Sequence, residues 1–79
     1  MSDQSTIRLG TRVRIRDGAT AFLRENGLYT GGMPSDGIDG LTGSVVTDYS
    51  DLHGAESHYG VMIGYAKVVG VHPDHIEAC

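Results

Sequence analysis

Four histidines and one cysteine are the residues of this 79-residue chain whose types could hold a metal. His72, His75 and Cys79 follow the spacing His-x2-His-x3-Cys, and His53 and His58 fall in one hairpin upstream. Zinc takes four nitrogen or sulfur ligands from spacings of this general kind. Structural zinc sites usually carry more cysteines, however, and a turn around Pro73 calls for polar residues in any case. The spacing is therefore read as a surface turn, with no metal and no cofactor expected. As a surface patch the histidines have the chemistry to respond to pH near neutrality.

Arginines come next. Arg12, Arg14 and Arg16 recur at every second residue, which on a strand puts three guanidinium groups on one face. With Lys67 they have the chemistry to hold phosphates, while Tyr49, Tyr59 or Tyr65 stack on bases. The net charge of −4 and the single lysine weigh against this, since phosphate contacts are made by lysine and arginine. The competing expectation is an outward strand face paired with Asp48, Asp51 or Glu56 across the sheet. Five of the six cations lie between Arg8 and Arg24, and seven of the ten acids between Asp36 and Glu77, so opposite charges have strands on which to meet.

Two glycine clusters, Gly31-Gly32 and the Gly37–Gly43 region, have backbone N–H groups suited to an anion. Neither matches a Walker loop or a dinucleotide fingerprint, and a flexible loop is the expectation. Ser44 and Ser57 have histidines elsewhere in the chain but no spacing that implies a triad. With no nucleophile–base pair, the reading weighs against an enzyme.

The elements that position these residues are short strands. Val13 and Ile15 alternate with the arginines, so Thr11 to Arg16 reads as a first strand ended by Asp17-Gly18. Ala19 to Asn26 has helix-forming composition, with Gly27 placed for a left-handed cap and Leu28 for its apolar partner. Phe22, Leu23 and Leu28 are expected to pack as a flap over one end of the domain. The rest of the 18–40 segment is a glycine-dense loop, and loops this long in small domains are usually functional or disordered. Thr42 to Tyr49 is a second strand whose consecutive Val45 and Val46 suit a bend, with a bulge near Gly43. Ser50 to Ser57 is a polar hairpin loop. His58 to Gly64 is a third strand with Tyr59, Val61 and Ile63 on one face, followed by a tight turn at Gly64-Tyr65. Ala66 to Val71 is a fourth strand, and His72 to Glu77 a single 3₁₀ turn leading into a short last strand.

These motifs resemble a known family. Leu9-Gly10-Thr11-Arg12-Val13-Arg14-Ile15 resembles the opening strand of small SH3-like barrels. Gly40-Leu41-Thr42-Gly43-Ser44-Val45-Val46 resembles the second strand of their KOW-like members, and Val68 to Glu77 their closing strand, turn and end. The resemblance covers about residues 9–77 and implies an all-β, closed, five-stranded barrel with a long first loop and a 3₁₀ turn before the last strand. Such barrels occur in ribosomal and transcription KOW domains, the nitrile hydratase β subunit, a small photosystem I subunit and the type II dihydrofolate reductases. The reductases carry a valine-glutamine-isoleucine-tyrosine run before the final turn. Here Val68-Val69-Gly70-Val71 stands in its place, so that activity is rejected, though a similar oligomer is compatible.

One domain is expected, with residues 1–8 as a flexible tail and 9–79 as the barrel. A core this small supplies roughly 3–5 kcal/mol at most, and a single cysteine allows no internal disulfide. No apolar stretch approaches the about 20 residues of a membrane span, and Met1 to Thr6 lacks the features of a signal peptide, so a cytoplasmic protein is expected. Phe22, Leu23, Leu28, Tyr29, Met33 and Ile38 exceed what a solvated loop needs, so some should be buried by the barrel or by a partner. The first expectation is a non-enzymatic interaction module, in which Phe22, Leu28, Tyr29, Met33 and Ile38 engage a protein partner or a second copy of the chain. The second is a nucleic-acid or nucleotide binder using Arg12, Arg14, Arg16 and Lys67. The third is a subunit of a larger enzyme.

Overall fold

A computed structural model describes residues 7–64 and 67–79. The strands are β1 (Arg12–Ile15), β2 (Thr42–Tyr49), β3 (His58–Gly64), β4 (Lys67–Val71) and β5 (Ile76–Ala78). One helix, α1 (Ala19–Glu25), follows β1, and 3₁₀ turns at Gly54–Glu56 and Pro73–His75 precede β3 and β5. Every element expected from the sequence is present. The second and third strands have the expected bounds, while the first loses a residue at each end. The turn expected at Gly64-Tyr65 involves a residue outside those described.

The strands form a single antiparallel sheet in the order β4-β3-β2-β1-β5. Among the described residues β4 and β5 do not pair, so the sheet is open where a closed one was expected. The chain leaves β4 through Pro73, which has no N–H to donate, and β5 is three residues long.

Alternation makes the inner face. Val13 and Ile15 of β1, Val45 of β2, Tyr59 and Val61 of β3, Val69 and Val71 of β4, and Ile76 of β5 are all buried there. Removing each such valine or isoleucine from water contributes about 1.5–3 kcal/mol before entropy is counted. Ala19, Leu23 and Ile38 seal the core from the 18–40 segment. Ile7 joins it at 8% exposure.

The bulge in β2 lies at Val46, not near Gly43. Val45 pairs with Val61 and Thr47 with Gly60, which leaves Val46 as the extra residue. Val45 is 1% exposed and Val46 36%, so the consecutive valines face opposite sides of the sheet. Gly43 instead pairs in register with Val13, and a Cβ there would run into the Met62 carbonyl. Among the described residues, no helix is long and apolar enough to cross a membrane.

Candidate binding cleft

The 18–40 segment is a closed loop. At its neck the Ile15 N–H donates to the Leu41 carbonyl and the Gly40 N–H to the Ile15 carbonyl, both at 2.8 Å. Within it, α1 starts after Gly18, whose left-handed backbone (φ 100) carries no side chain to cap the exposed N–H groups. Asp39 supplies the cap from the far end of the loop. Its carboxylate accepts the N–H groups of Gly18 and Thr20, each at 2.9 Å, and the Thr20 hydroxyl at 2.8 Å. The Gly18 N–H bond, then that of Thr20, holds the Asp39 carboxyl below its ordinary range. Thr20 Oγ1 in turn accepts the N–H of the buried Ile38 at 2.9 Å.

The helix ends as its sequence requires. Gly27 is left-handed (φ 70), its N–H reaches the Arg24 carbonyl at 3.2 Å, and the Leu28 N–H reaches the Leu23 carbonyl at 2.8 Å. This double bond pattern returns the chain so that Leu28 meets the apolar side of the helix. Beyond it, the Tyr29 hydroxyl donates to the Pro34 carbonyl, and Arg24 lies over the Tyr29 ring at 4.9 Å. The glycine-dense loop is thus tied down by its own side chains.

Facing it is the hairpin loop between β2 and β3. Asp48 accepts the Ser50 N–H (2.9 Å) and hydroxyl (2.6 Å), chiefly the hydroxyl lowering its pKa. Two histidines hold the loop's 3₁₀ turn. His58 Nδ1–H donates to the Glu56 carbonyl at 2.7 Å, and His72 Nε2–H to the Gly54 carbonyl at 3.2 Å. Carbonyls only accept, so these two ring nitrogens are the donors.

Between these two loops runs a cleft of about 410 Å³. Leu23, Leu28 and Met33 line one side, Leu52 and Ala55 the other, with Glu56 and His58 as its polar members. Leu28 and Met33, expected to engage a partner, line this cleft and are partly buried against the core. Phe22 and Tyr29 are half-buried against the core. Ile38 is 0% exposed, which removes it from any surface: it plugs the core beneath the loop. Leu52 and Ala55 were missed, although Leu52 is the one large apolar residue in an otherwise polar loop. Asp39 was missed for a different reason, because nothing local links it to a helix start 21 residues earlier.

The other candidate sites come apart. Arg14 and Arg16 both pair with Glu77, at 3.1 and 3.2 Å, and not with Asp48, Asp51 or Glu56. Lys67 starts β4, with β3 and β2 between it and Arg12 on β1. Tyr59 is 4% exposed and cannot stack on a base, while Tyr49 packs on His58 at 5.2 Å. Tyr65 lies outside the described residues. His72 uses both ring nitrogens, since Nδ1 accepts the Asp74 N–H at 3.1 Å. His72 and His75 flank Phe22, and Cys79 is tied by its N–H to the Arg12 carbonyl at the other end of β5. Among the described residues, no three histidine, cysteine or acidic side chains converge to hold a metal. Ser57 donates its hydroxyl to the Ser50 carbonyl at 2.9 Å, a structural bond.

Comparison with protein-family models, with curated proteins and with solved structures finds no match to this chain.

Proposed function

We propose that this chain is a small SH3-like interaction module that binds a protein partner through the cleft between its 18–40 loop and its 50–57 hairpin loop. The strand order, the long first loop and the 3₁₀ turn before the last strand support the fold reading. The observation that carries the functional reading is the apolar lining of the cleft. Leu52 remains 42% exposed at its edge, opposite Leu28 and Met33. A few convergent apolar side chains beside a polar pair suit an extended segment that inserts one or two apolar residues. Phosphate binding ranks second, because Glu77 already engages two of the three arginines of the stripe.

The test is selection of short peptides from a display library on the immobilised chain, followed by amide shift mapping. Selected peptides should carry apolar residues and move the signals of Leu28, Met33, Leu52 and Ala55. Leu52→Asp should weaken them by about tenfold, or about 1.4 kcal/mol. Failure to enrich any peptide, or shifts confined to other surfaces, would overturn the proposal.

A further inference from the structure

The outer edge of β4 runs into the cleft. Its open groups follow from the ladder. The Val45 N–H donates to the Thr11 carbonyl at 3.0 Å and its carbonyl accepts the Gly10 N–H at 2.7 Å, so both peptide groups of Val45 lie on the β1 side. Its neighbour Ser44 therefore turns toward β3, where it stands opposite Met62. Alternation along β3 then sends the peptide groups of Tyr59 and Val61 to β4, opposite Val71 and Val69. The N–H and C=O groups of Val68 and Gly70 are left on the outer edge. Among the described residues no hydrogen bond takes them up, and β4 pairs with no strand besides β3. These two residues are also the accessible ones. Val68 is 47% exposed and Gly70 partly exposed, while Val69 and Val71, whose peptide groups face β3, are buried.

Edge and cleft are continuous at Gly70, which lines the cleft beside His58; a Cβ on Gly70 would stand 3.0 Å from the His58 ring. A bare strand edge is a template for another strand. We propose that the partner is an extended segment of another protein, which adds to β4 as a further antiparallel strand and bonds the outer N–H and C=O groups of Val68 and Gly70. This binding mode rests on the cleft being the site and adds how the partner lies in it. Opposed residues in a ladder place their side chains on the same face of the sheet. The residue opposite Gly70 thus enters the cleft, where glycine leaves the space unfilled. The residue two positions on stands opposite Val68 and covers Val68 and Met62, an exposed pair in register across β4 and β3. The partner therefore carries apolar residues at alternate positions. Charge sets its flank. Glu56 is the charged member of the cleft and the chain carries −4, so a lysine or arginine beside the first apolar residue is attracted and an acid repelled.

Amide hydrogen exchange on the free chain tests the edge first: Val68 and Gly70 should exchange fast, Val69 and Val71 slowly. The second probe is the peptide most enriched by display on the immobilised chain. It should carry apolar residues at alternate positions with a basic residue on the flank, and its binding should slow exchange at Val68 and Gly70. Copies of that peptide, each N-methylated at one position, should lose affinity by about tenfold at alternate positions, where an N–H bonds β4, and keep it at the positions between. The unaltered chain serves throughout, so no variant has to fold. Protection of Val68 and Gly70 in the free chain overturns the proposal, whether it is constant or grows with concentration as a second copy takes the edge. An enriched peptide with an acidic flank overturns it too. So does one that shifts Met33 and Leu52 but leaves exchange at Val68 and Gly70 unchanged, or that tolerates N-methylation at every position. In those cases the cleft remains the binding site and strand addition alone falls, whereas failure to enrich any peptide removes both.

Discussion

Asp39 accepts both the N–H and the hydroxyl of Thr20, 19 residues before it, and so caps a helix to which it does not belong. Losing a capping side chain usually costs about 0.5–2 kcal/mol. Asp39→Ala should reduce stability by about that amount, read as a lower urea midpoint with unchanged slope. An unchanged midpoint would mean that water replaces the carboxylate without loss.

The same contact sets a pH dependence. The folded Asp39 carboxyl titrates below its ordinary value of 3.8, so the folded state binds fewer protons there than the unfolded one. Its contribution is fully present above that value and is lost as pH falls through the lower, folded value. Acid unfolding curves of the parent and Asp39→Asn should therefore differ in slope below about pH 4. Asp48, lowered by Ser50, leaves a residual slope in both.

Thr20→Val keeps the shape and removes the oxygen. Both the bond to Asp39 and the acceptor for the buried Ile38 N–H disappear. A buried donor left without a partner costs about 1–3 kcal/mol. Thr20→Ser keeps the hydroxyl and should recover most of the loss in a thermal melt.

Gly43→Ala probes the close approach of β2 to β3. Its methyl would meet the Met62 backbone carbonyl and a methyl of Val61, neither of which is a flexible side-chain end. The expected loss is about 1–3 kcal/mol or more. Gly31→Ala, with nothing within 4 Å of the added carbon, is the matched control and should leave stability unchanged.

Glu77→Gln separates the two binding readings. Both ion pairs are substantially exposed, so the stability loss should stay within about 0–1 kcal/mol. The variant frees Arg14 and Arg16. A binder of nucleic acid should gain affinity for a single-stranded oligonucleotide, with a steep decline on adding salt. A chain that works through the apolar cleft should show no such gain.

Strands with alternating burial were legible from residue order alone, because Val13 and Ile15 or Tyr59 and Val61 announce an inner face at spacing two. The helix and its Gly27 end were legible for the same local reason. What stayed hidden depends on residues far apart in the chain. Nothing near Asp39 says that it reaches Gly18, and nothing near Glu77 says that it gathers Arg14 and Arg16. Ile38 shows the limit of counting apolar residues in a loop, since a partner-facing isoleucine and a core plug read alike until the loop is folded back. The cleft was half visible: one wall came from an apolar excess, while the other rested on a single leucine in polar company.

The neck formed by Ile15 and Gly40 makes the intervening segment a cassette. Its ends are hydrogen-bonded neighbours, and a Cβ added at Gly31 or Gly32 at its tip would meet nothing within 4 Å. Loop entropy rises only slowly with length, by about 0.6 kcal/mol per doubling. Residues added at that tip would lengthen one wall of the cleft while the sheet beneath stays as it is. New specificity could be grafted onto this scaffold without redesigning its core.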